Sequence, residues 1–346
     1  METWGATAHP ISSMTDGLTI GYGLLGWLVR VLLSALALFL WIPEAAACSI
    51  CGCGDPLLAA SDPAAIAGRL RLQLDSEYLR VDAGTDDRPG YTDKLSQWSY
   101  RLNVAYRPIS RLSFVATVPF LDKTIHTVGE GTDAIASHLT GLGDAELAGR
   151  LALWQSISYS RRRVQEFALS AGTTLPTGSS NAKTSDGTGT VIPVDPHGQL
   201  GTGGWGPFAG LHFRFEQTDW LGFADLSYRV RTTGSYFDGS TYKFGDAAVW
   251  SLHGQYRPWD TLAVDLGLDG RYARIDKATL AGDGDGAAAS VANTGGTVLA
   301  VAPGLYYKAA SGFWLFARGQ IPFYTNLNGA QSVKPSASLG LQYEVL

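Results

Sequence analysis

Charged residues are scarce in this chain, and their scarcity excludes several classes of protein. Asp, Glu, Lys and Arg make up 16% of the 346 residues, against about 25% in an ordinary soluble domain. The 26 basic residues do not outnumber the 31 acidic ones, so the basic stripe of a nucleic-acid-binding protein is missing and no nucleic-acid partner is expected. Aromatic residues reach 11%, which argues against intrinsic disorder.

Cysteines and long apolar runs are also rare. The three cysteines stand within six residues of one another, so they cannot form the disulfide framework of a small secreted domain. Residues 31–42 form the one apolar run that approaches bilayer length. A bundle of membrane-spanning helices is therefore excluded.

The N-terminal segment has the pattern of a signal peptide. Arg30 precedes the apolar run, Pro43 breaks it, and the small residues 45–47 suit a cleavage site. We predict a signal peptide over residues 1–47 and export to the cell envelope. The alternative is an uncleaved membrane anchor, because about 25 residues from Gly17 onwards are mostly apolar.

The rest of the chain shows the period-2 alternation of β-strands. The clearest case runs from Trp98 to Tyr106, where large apolar residues alternate with polar or small ones. Most of these strands exceed the ~5–6 residues usual in globular proteins and suffice to cross a bilayer at a tilt. The pattern predicts strands over 68–82, 95–107, 112–125, 142–154, 164–175, 199–215, 220–232, 242–257, 261–275, 295–308, 312–322 and 334–345.

Short and long connections alternate between these strands. Connections after even-numbered strands are short, whereas those after odd-numbered strands are long and polar. Short turns on one rim and long loops on the other are typical of outer-membrane barrels. We therefore predict that residues 68–346 form an all-β fold, a closed antiparallel transmembrane β-barrel of about 12 strands, rather than a soluble sandwich. Short turns and both termini are expected in the periplasm and long loops outside the cell.

One face of the predicted strands carries the charges. These side chains cannot face lipid, where an arginine costs about 2–4 kcal/mol at the bilayer midplane. They either line a hydrated pore or pair as salt bridges across a nearly closed lumen. The predicted lumen-lining residues are Arg69, Arg71, Asp75, Glu77, Arg101, Arg107, Asp144, Glu146, Arg150, His212, Arg214, Asp225, Arg229, Arg231, His253, Arg257, Asp265, Asp269 and Arg318.

Several short blocks resemble one family of outer-membrane transporters, labelled "MetA-pathway of phenol degradation". The resemblance implies a single outer-membrane barrel with a link to aromatic compounds, and it supplies no catalytic residues. The chain departs from the usual barrel ending, because Tyr343 and not the final residue is its last aromatic. The blocks are 141–150, 175–178, 199–207, 244–246, 302–306 and 320–323.

Enzyme activity is not expected. The histidines predicted on the inner face, His212 and His253, fall on strands that are not neighbours. The other candidates, His126, His138 and His197, fall in predicted loops. We therefore interpret each of these histidines as a polar group of the lumen or of a loop.

The cysteine cluster lies in the predicted periplasmic segment 48–67. Cys48, Cys51 and Cys53 suit a soft ion such as Cu or Zn, which is the one cofactor that the sequence suggests. Two alternatives stay open: Cys48 carries a lipid after cleavage, or two of the thiols form a local disulfide.

Together these patterns predict a channel or transporter for small solutes in the Gram-negative outer membrane, with lipids as its surroundings and aromatic compounds among the candidate solutes. The competing hypothesis is a closed barrel that anchors a metal- or redox-active cysteine segment, which would recruit a periplasmic partner.

Overall fold

A computed structural model describes residues 69–84, 92–128, 135–185, 190–279, 288–291, 294–329 and 331–345. The predicted signal peptide (1–47) and the cysteine segment (48–67), with Cys48, Cys51 and Cys53, lie outside the described residues. Within the described residues, no helix has the length and hydropathy needed to cross a membrane.

Strands account for most of the described residues. Two single-turn 3₁₀ helices, Pro196–Gly198 and Phe237–Gly239, stand in loops. The strands are β1 (Leu70–Gly84), β2 (Thr92–Ile109), β3 (Leu112–Val128), β4 (Ile135–Leu142), β5 (Glu146–Ser158), β6 (Arg163–Thr174), β7 (Lys183–Ser185), β8 (Val191–Pro193), β9 (Gly206–Gln217), β10 (Trp220–Arg229), β11 (Gly234–Ser235), β12 (Thr241–Lys243), β13 (Ala247–Trp259), β14 (Leu262–Ala273), β15 (Lys277–Thr279), β16 (Ala289–Ser290), β17 (Gly296–Ala310), β18 (Phe313–Leu327), β19 (Gln331–Val333) and β20 (Ser336–Val345).

Twelve antiparallel strands close into a barrel, as the sequence predicted. Their order is β1-β2-β3-β5-β6-β9-β10-β13-β14-β17-β18-β20, and β20 returns to pair with β1 from Leu70↔Val345 to Tyr78↔Ala337. The fourth barrel strand is broken: β4 and β5 both pair with β3, and residues 143–145 separate them. Closure leaves no unpaired sheet edge, which is the condition for a sheet to stand in lipid.

The outer face of the barrel is apolar, because every second side chain of a strand points to the same side. Along β2, Trp98, Tyr100, Leu102 and Tyr106 are each more than 40% exposed. The same holds on β14 for Val264, Leu266 and Leu268. Such a belt of exposed apolar and aromatic side chains is the lipid-facing surface of a membrane barrel.

The short connections form one rim. Two-residue turns join β2 to β3, β9 to β10, β13 to β14 and β17 to β18, and a four-residue turn joins β5 to β6. Gly312 has a φ of +71° in its turn, and a Cβ there would stand 2.5 Å from the carbonyl oxygen of Glu344. Only glycine combines that backbone conformation with so close an approach.

Three predicted strands are too long at the loop end. The strand expected over 199–215 begins at Gly206, the one over 242–257 begins at Ala247, and the one over 220–232 ends at Arg229. At residues 230–232 backbone bonds to Pro207 and Trp205 continue beyond the assigned strand, whereas at the other two strands residues of the missing part bond to other loops. Thr241–Lys243, for example, pairs with Lys277–Thr279.

The long loops fold into a compact layer, here named the loop cap, which consists of the described residues 179–185, 190–199, 232–245, 276–279 and 288–291. Strands β11, β12, β15 and β16 form a small sheet, and β7 pairs with β8. Val194, Tyr242 and Phe244 of the cap form one apolar cluster with Leu95 of β2 and Ile125 of β3. Loops that leave the barrel between β6 and β13 therefore reach the inner side of β2 and β3, and so cross the mouth of the barrel.

Candidate functional site: the barrel interior

The inner face of the barrel wall holds most of the predicted lumen-lining residues. Arg71, Asp75, Glu77, Arg101, Arg150, His253, Asp265, Asp269 and Arg318 are buried within strands, and Arg107, Glu146, His212, Arg214, Asp225, Arg229 and Arg257 are partly buried there. Asp144 and Arg231 are buried, but they lie outside the strands. Arg69 differs from expectation: it stands just before β1, at the end of the strand, and its side chain is exposed.

Arg101 organises the charges on β1 and β2. Its Nε donates to Asp75 at 2.9 Å, and its guanidinium also pairs with Glu77. Asn103 donates to the other oxygen of Asp75 at 3.0 Å. All four side chains are buried. A buried arginine whose fork binds two carboxylates has the partners that offset its desolvation.

His253 lies between two carboxylates of the neighbouring strand. Its Nδ1 is 2.8 Å from Asp265 and its Nε2 is 2.9 Å from Asp269. The ring stacks on Phe223 at 4.7 Å. It also covers Gly267, where a Cβ would stand 2.3 Å from the ring. The imidazole is thus fixed on both faces and at both nitrogens.

Ser170, His212 and Asp225 form a hydroxyl–imidazole–carboxylate chain. The Oγ of Ser170 is 2.7 Å from His212 Nε2, and Asp225 is 2.6 Å from His212 Nδ1. Acyl transfer also needs donors for the oxyanion, usually backbone N–H groups. Ser170 lies in a central strand paired on both sides, with Arg150 and with Gly210, so its backbone is engaged in the ladder. We therefore interpret this chain of bonds as part of the polar packing of the wall.

Some polar contacts bypass intervening strands. Arg229 of β10 reaches Glu146 of β5 at 2.6 Å, and Gln320 of β18 bonds Asp269 of β14 at 2.5 Å. The interior is therefore narrow enough for side chains to meet across it.

A cavity of about 220 Å³ lies near the short-turn rim. Strands β2, β3, β5, β6 and β9 and the turn after β2 contribute to its wall. The side chains that carry charge around it are Arg107, Arg111, Arg150, Arg214, Glu166 and Glu216.

The opposite end is held by hydrogen bonds to the loop cap. Lys123 of β3 is 1% exposed, and its Nζ donates to the carbonyl oxygens of Gln199 at 2.7 Å and of His197 at 3.3 Å. Asp144, in the break between β4 and β5, accepts from the backbone N–H groups of Gly178 and Thr202. These bonds tie the loops to the barrel wall at two separate points.

His197 joins the cap loops to one another. Its Nδ1 is 3.1 Å from Asp195 and its Nε2 is 3.0 Å from Asp276, which also accepts from the hydroxyl of Tyr242 at 2.8 Å. Desolvation of Asp195 by itself would raise the pKa of its carboxyl. The hydrogen bonds from His197 and the charge of that ring have the larger combined effect, so the pKa of Asp195 is lowered. Burial raises the pKa of Tyr242, and it also raises the pKa of Tyr236.

Several functional residues were missed by the sequence analysis. Glu166 pairs with Arg150 at 2.7 Å, and Glu344 pairs with Arg71 at 3.0 Å. Lys123 and Glu344 have the inward parity of predicted strands, so alternation alone could have found them. Asp276 lies in a loop whose sequence has no periodic pattern, so the sequence does not mark it as part of a site. Within the described part of the chain, no three His, Cys, Asp or Glu side chains converge as a metal site would require.

Solved structures share this fold. The COG4313 outer membrane channel from Pseudomonas putida F1 has a TM-score of 0.58 and 12% identity, over 82% of this chain and 98% of that chain. The translocator domain of the autotransporter NalP from Neisseria meningitidis has a TM-score of 0.45 and 12% identity, over 84% and 94%. The P. putida toluene transporter TodX has a TM-score of 0.37 and 11% identity, over 82% and 93%.

At these identities the likeness shows the fold alone, and of the three only the first TM-score exceeds 0.5. The chain therefore has the fold of outer-membrane β-barrels, among which channels and transporters are found. No protein-family model and no curated protein sequence matches it, so the phenol-degradation family label stays a prediction.

Proposed function

We propose that the chain is an outer-membrane channel that conducts small polar solutes through the interior of the barrel. The observation that carries the proposal is the contrast between the two faces of one closed sheet. The outer face is apolar, and the inner face carries charged side chains from most of the barrel strands. Charged and hydrogen-bonding side chains are the groups that a hydrated path needs along its wall.

The chemistry of the interior also bears on the solute. The family resemblance implies aromatic compounds. The buried strand faces offer guanidinium, carboxylate, imidazole and amide groups, which bind polar or ionised solutes. An aromatic solute that uses this path would therefore need a charged or hydrogen-bonding group. We propose the short turns and both termini on the periplasmic side, with the loop cap outside the cell.

Reconstitution of the full chain into planar bilayers tests the proposal. We expect discrete conductance steps of small size, because side chains meet across the interior and the loop cap covers one end. Protein whose folding is confirmed by its heat-dependent mobility in detergent gels, but which stays electrically silent and gives no liposome swelling with small sugars, would overturn the channel. That outcome would favour the closed anchor instead.

A further inference from the structure

We infer that the cavity near the short-turn rim binds small organic carboxylates. The inference rests on the proposed channel function and deepens it, because it names a class of solute that the interior would select. The cavity measures about 220 Å³, smaller than the ~300–1,000 Å³ pockets that enclose drug-sized ligands. Its occupant must therefore be a small molecule.

The wall of the cavity carries a net positive charge. Four guanidinium groups line the cavity, those of Arg107, Arg111, Arg150 and Arg214, against the two carboxylates of Glu166 and Glu216. An anion that enters this space would replace water around a net positive wall. In a narrow, partly buried interior that attraction is stronger than at an open surface.

Both wall carboxylates are already bound by the surrounding side chains. Glu216 accepts from Arg214 at 2.7 Å through one oxygen and from Arg257 at 3.2 Å through the other. Glu166 accepts from Arg150 at 2.7 Å and from Gln155 at 3.1 Å. The carboxylates therefore hold the arginines in place and have little capacity left to attract a cation.

Arg214 retains donors beyond its ion pair with Glu216. A guanidinium carries five N–H groups in a fixed fork that matches the two oxygens of a carboxylate. Glu216 binds one nitrogen of Arg214, Nη2, and the buried Nε of Arg214 has no hydrogen-bond partner among the described residues. A ligand carboxylate would supply an acceptor to the guanidinium of Arg214.

Part of the cavity wall is apolar, which favours an organic carboxylate over an inorganic anion. Leu112, Ala152, Ile157 and Val164 contribute there. The pairing of β5 with β6 shifts register between Ala152 and Trp154. The shift changes the alternation, so that Gln155 and Ile157 join the cavity wall after Ala152. A ligand with a carboxylate at one end and an apolar body fits both parts, whereas phosphate would leave oxygens against the apolar side.

Benzoate binding to the detergent-solubilised full chain, measured by isothermal titration calorimetry, tests the inference without requiring conduction. Benzyl alcohol serves as the neutral probe, and inorganic phosphate serves as the anion without an apolar body. We expect saturable benzoate binding that is at least about tenfold tighter than that of either probe, because a charge-assisted hydrogen bond contributes about 1.5–3 kcal/mol. Equal binding of benzoate and benzyl alcohol would overturn the inference, and so would equal binding of benzoate and phosphate.

Substitutions of the arginines and of Glu216 should change the affinity for benzoate in opposite directions. Arg214→Gln should weaken benzoate binding by about tenfold, the value of one lost charge-assisted bond. Glu216→Gln should strengthen it, because the acceptor that two guanidinium groups share loses its negative charge. Arg111→Gln changes an exposed turn residue of the cavity wall and should weaken binding with little risk to folding. Arg161→Gln is the matched control: it removes an exposed charge from the neighbouring turn, outside the cavity. Equal effects of Arg111→Gln and Arg161→Gln would show that general surface charge, and not the cavity, attracts benzoate.

The same samples separate the two proposals. Conductance without benzoate binding would overturn the carboxylate site and leave the channel standing. Benzoate binding that follows the variants, in protein without conductance or liposome swelling, would overturn the channel and leave the site. In a conducting protein, benzoate should reduce the ionic current, and the reduction should be weaker in Arg214→Gln.

Discussion

Arg229 of β10 and Glu146 of β5 form an ion pair of 2.6 Å across the two barrel strands that lie between them. The guanidinium also donates to Thr174 on one of those strands and lies 4.7 Å from the ring of Phe208. Its position is therefore fixed by three different strands. A side chain held in this way narrows the interior instead of moving freely in it.

Replacement of Arg229 should widen the path. We expect Arg229→Gln to raise single-channel conductance and to lower the free energy of unfolding by about 1–3 kcal/mol, because Glu146 loses its charged partner. The loss stays below that of a fully buried pair, since the Glu146 side chain is 28% exposed. Glu146→Gln together with Arg229→Gln should cost less than the sum of the two single changes. Additive effects in conductance and in urea unfolding would show that the pair does not act as a unit.

Removal of His253 should strongly destabilise the barrel. His253→Leu would leave Asp265 and Asp269 buried without the group that bonds both of them, and an uncompensated buried charge costs about 3–5 kcal/mol. Addition of Asp265→Asn should recover part of the loss, because one of the two carboxylates is then neutral. Urea unfolding in detergent measures both effects.

His138 provides the matched control, because it also pairs with an aspartate, Asp122 at 2.8 Å, but its side chain is 60% exposed. His138→Leu should change stability by no more than about 0.5 kcal/mol. Losses of similar size at His253 and His138 would contradict the role assigned to the buried network.

Lys123 should control how firmly the loop cap closes the barrel. Lys123→Met keeps the length of the side chain but removes the donor to the carbonyl oxygens of His197 and Gln199. We expect larger or more frequent channel openings and faster tryptic cleavage at Lys183 in the cap. Lys94→Met, which changes an exposed lysine of the neighbouring strand, is the control. Unchanged gating and cleavage in Lys123→Met would show that other contacts suffice to hold the cap.

The proposed orientation can be tested on intact cells. Lys183 and Lys277 are exposed in the loop cap, whereas Arg161 is exposed in the short turn after β5. Trypsin added outside should cut after the two lysines and leave Arg161 intact until the outer membrane is permeabilised. Cleavage at Arg161 in sealed cells would show that the short turns face outwards.

The strand count and closure could be predicted because both follow from local patterns. Alternation along a strand such as 95–107 marks its two faces, and the alternation of short and long connections marks the two rims. The same alternation correctly placed Asp75, Arg101 and His253 on the buried inner face, because pairing in the ladder determines the side of the sheet on which each side chain lies. Whether those charges line an open path does not follow from parity, and it stays a proposal.

The loop cap could not be predicted in the same way. Residues 199–205 and 242–246 read as continuations of strands, because their local composition does not show which loop they will meet. Asp144 and Asp276 act through contacts with residues far away in sequence. The cavity wall depends on the register shift after Ala152, which local alternation does not show. The cysteine cluster lies outside the described residues, so metal binding, lipidation and a local disulfide all stay predictions.

Tyr242 should make closure of the loop cap sensitive to alkaline pH. Its buried hydroxyl donates to Asp276, and burial raises its pKa above the ordinary value of about 10. An acid whose pKa is raised by folding stabilises the folded cap fully below the unfolded pKa, and that stability is lost as pH rises above it. Tyr236, whose hydroxyl donates to the carbonyl oxygen of Val194, should destabilise the cap at alkaline pH in the same way.

Channel openings should therefore become larger or more frequent above about pH 10 and return to their former size at pH 8. Tyr242→Phe removes both the hydroxyl bond and the ionisation, so this variant should open more readily at pH 8 and change less between pH 8 and pH 11. An identical pH profile in wild type, Tyr242→Phe and the double variant with Tyr236→Phe would assign the alkaline response to other groups, such as the cap lysines.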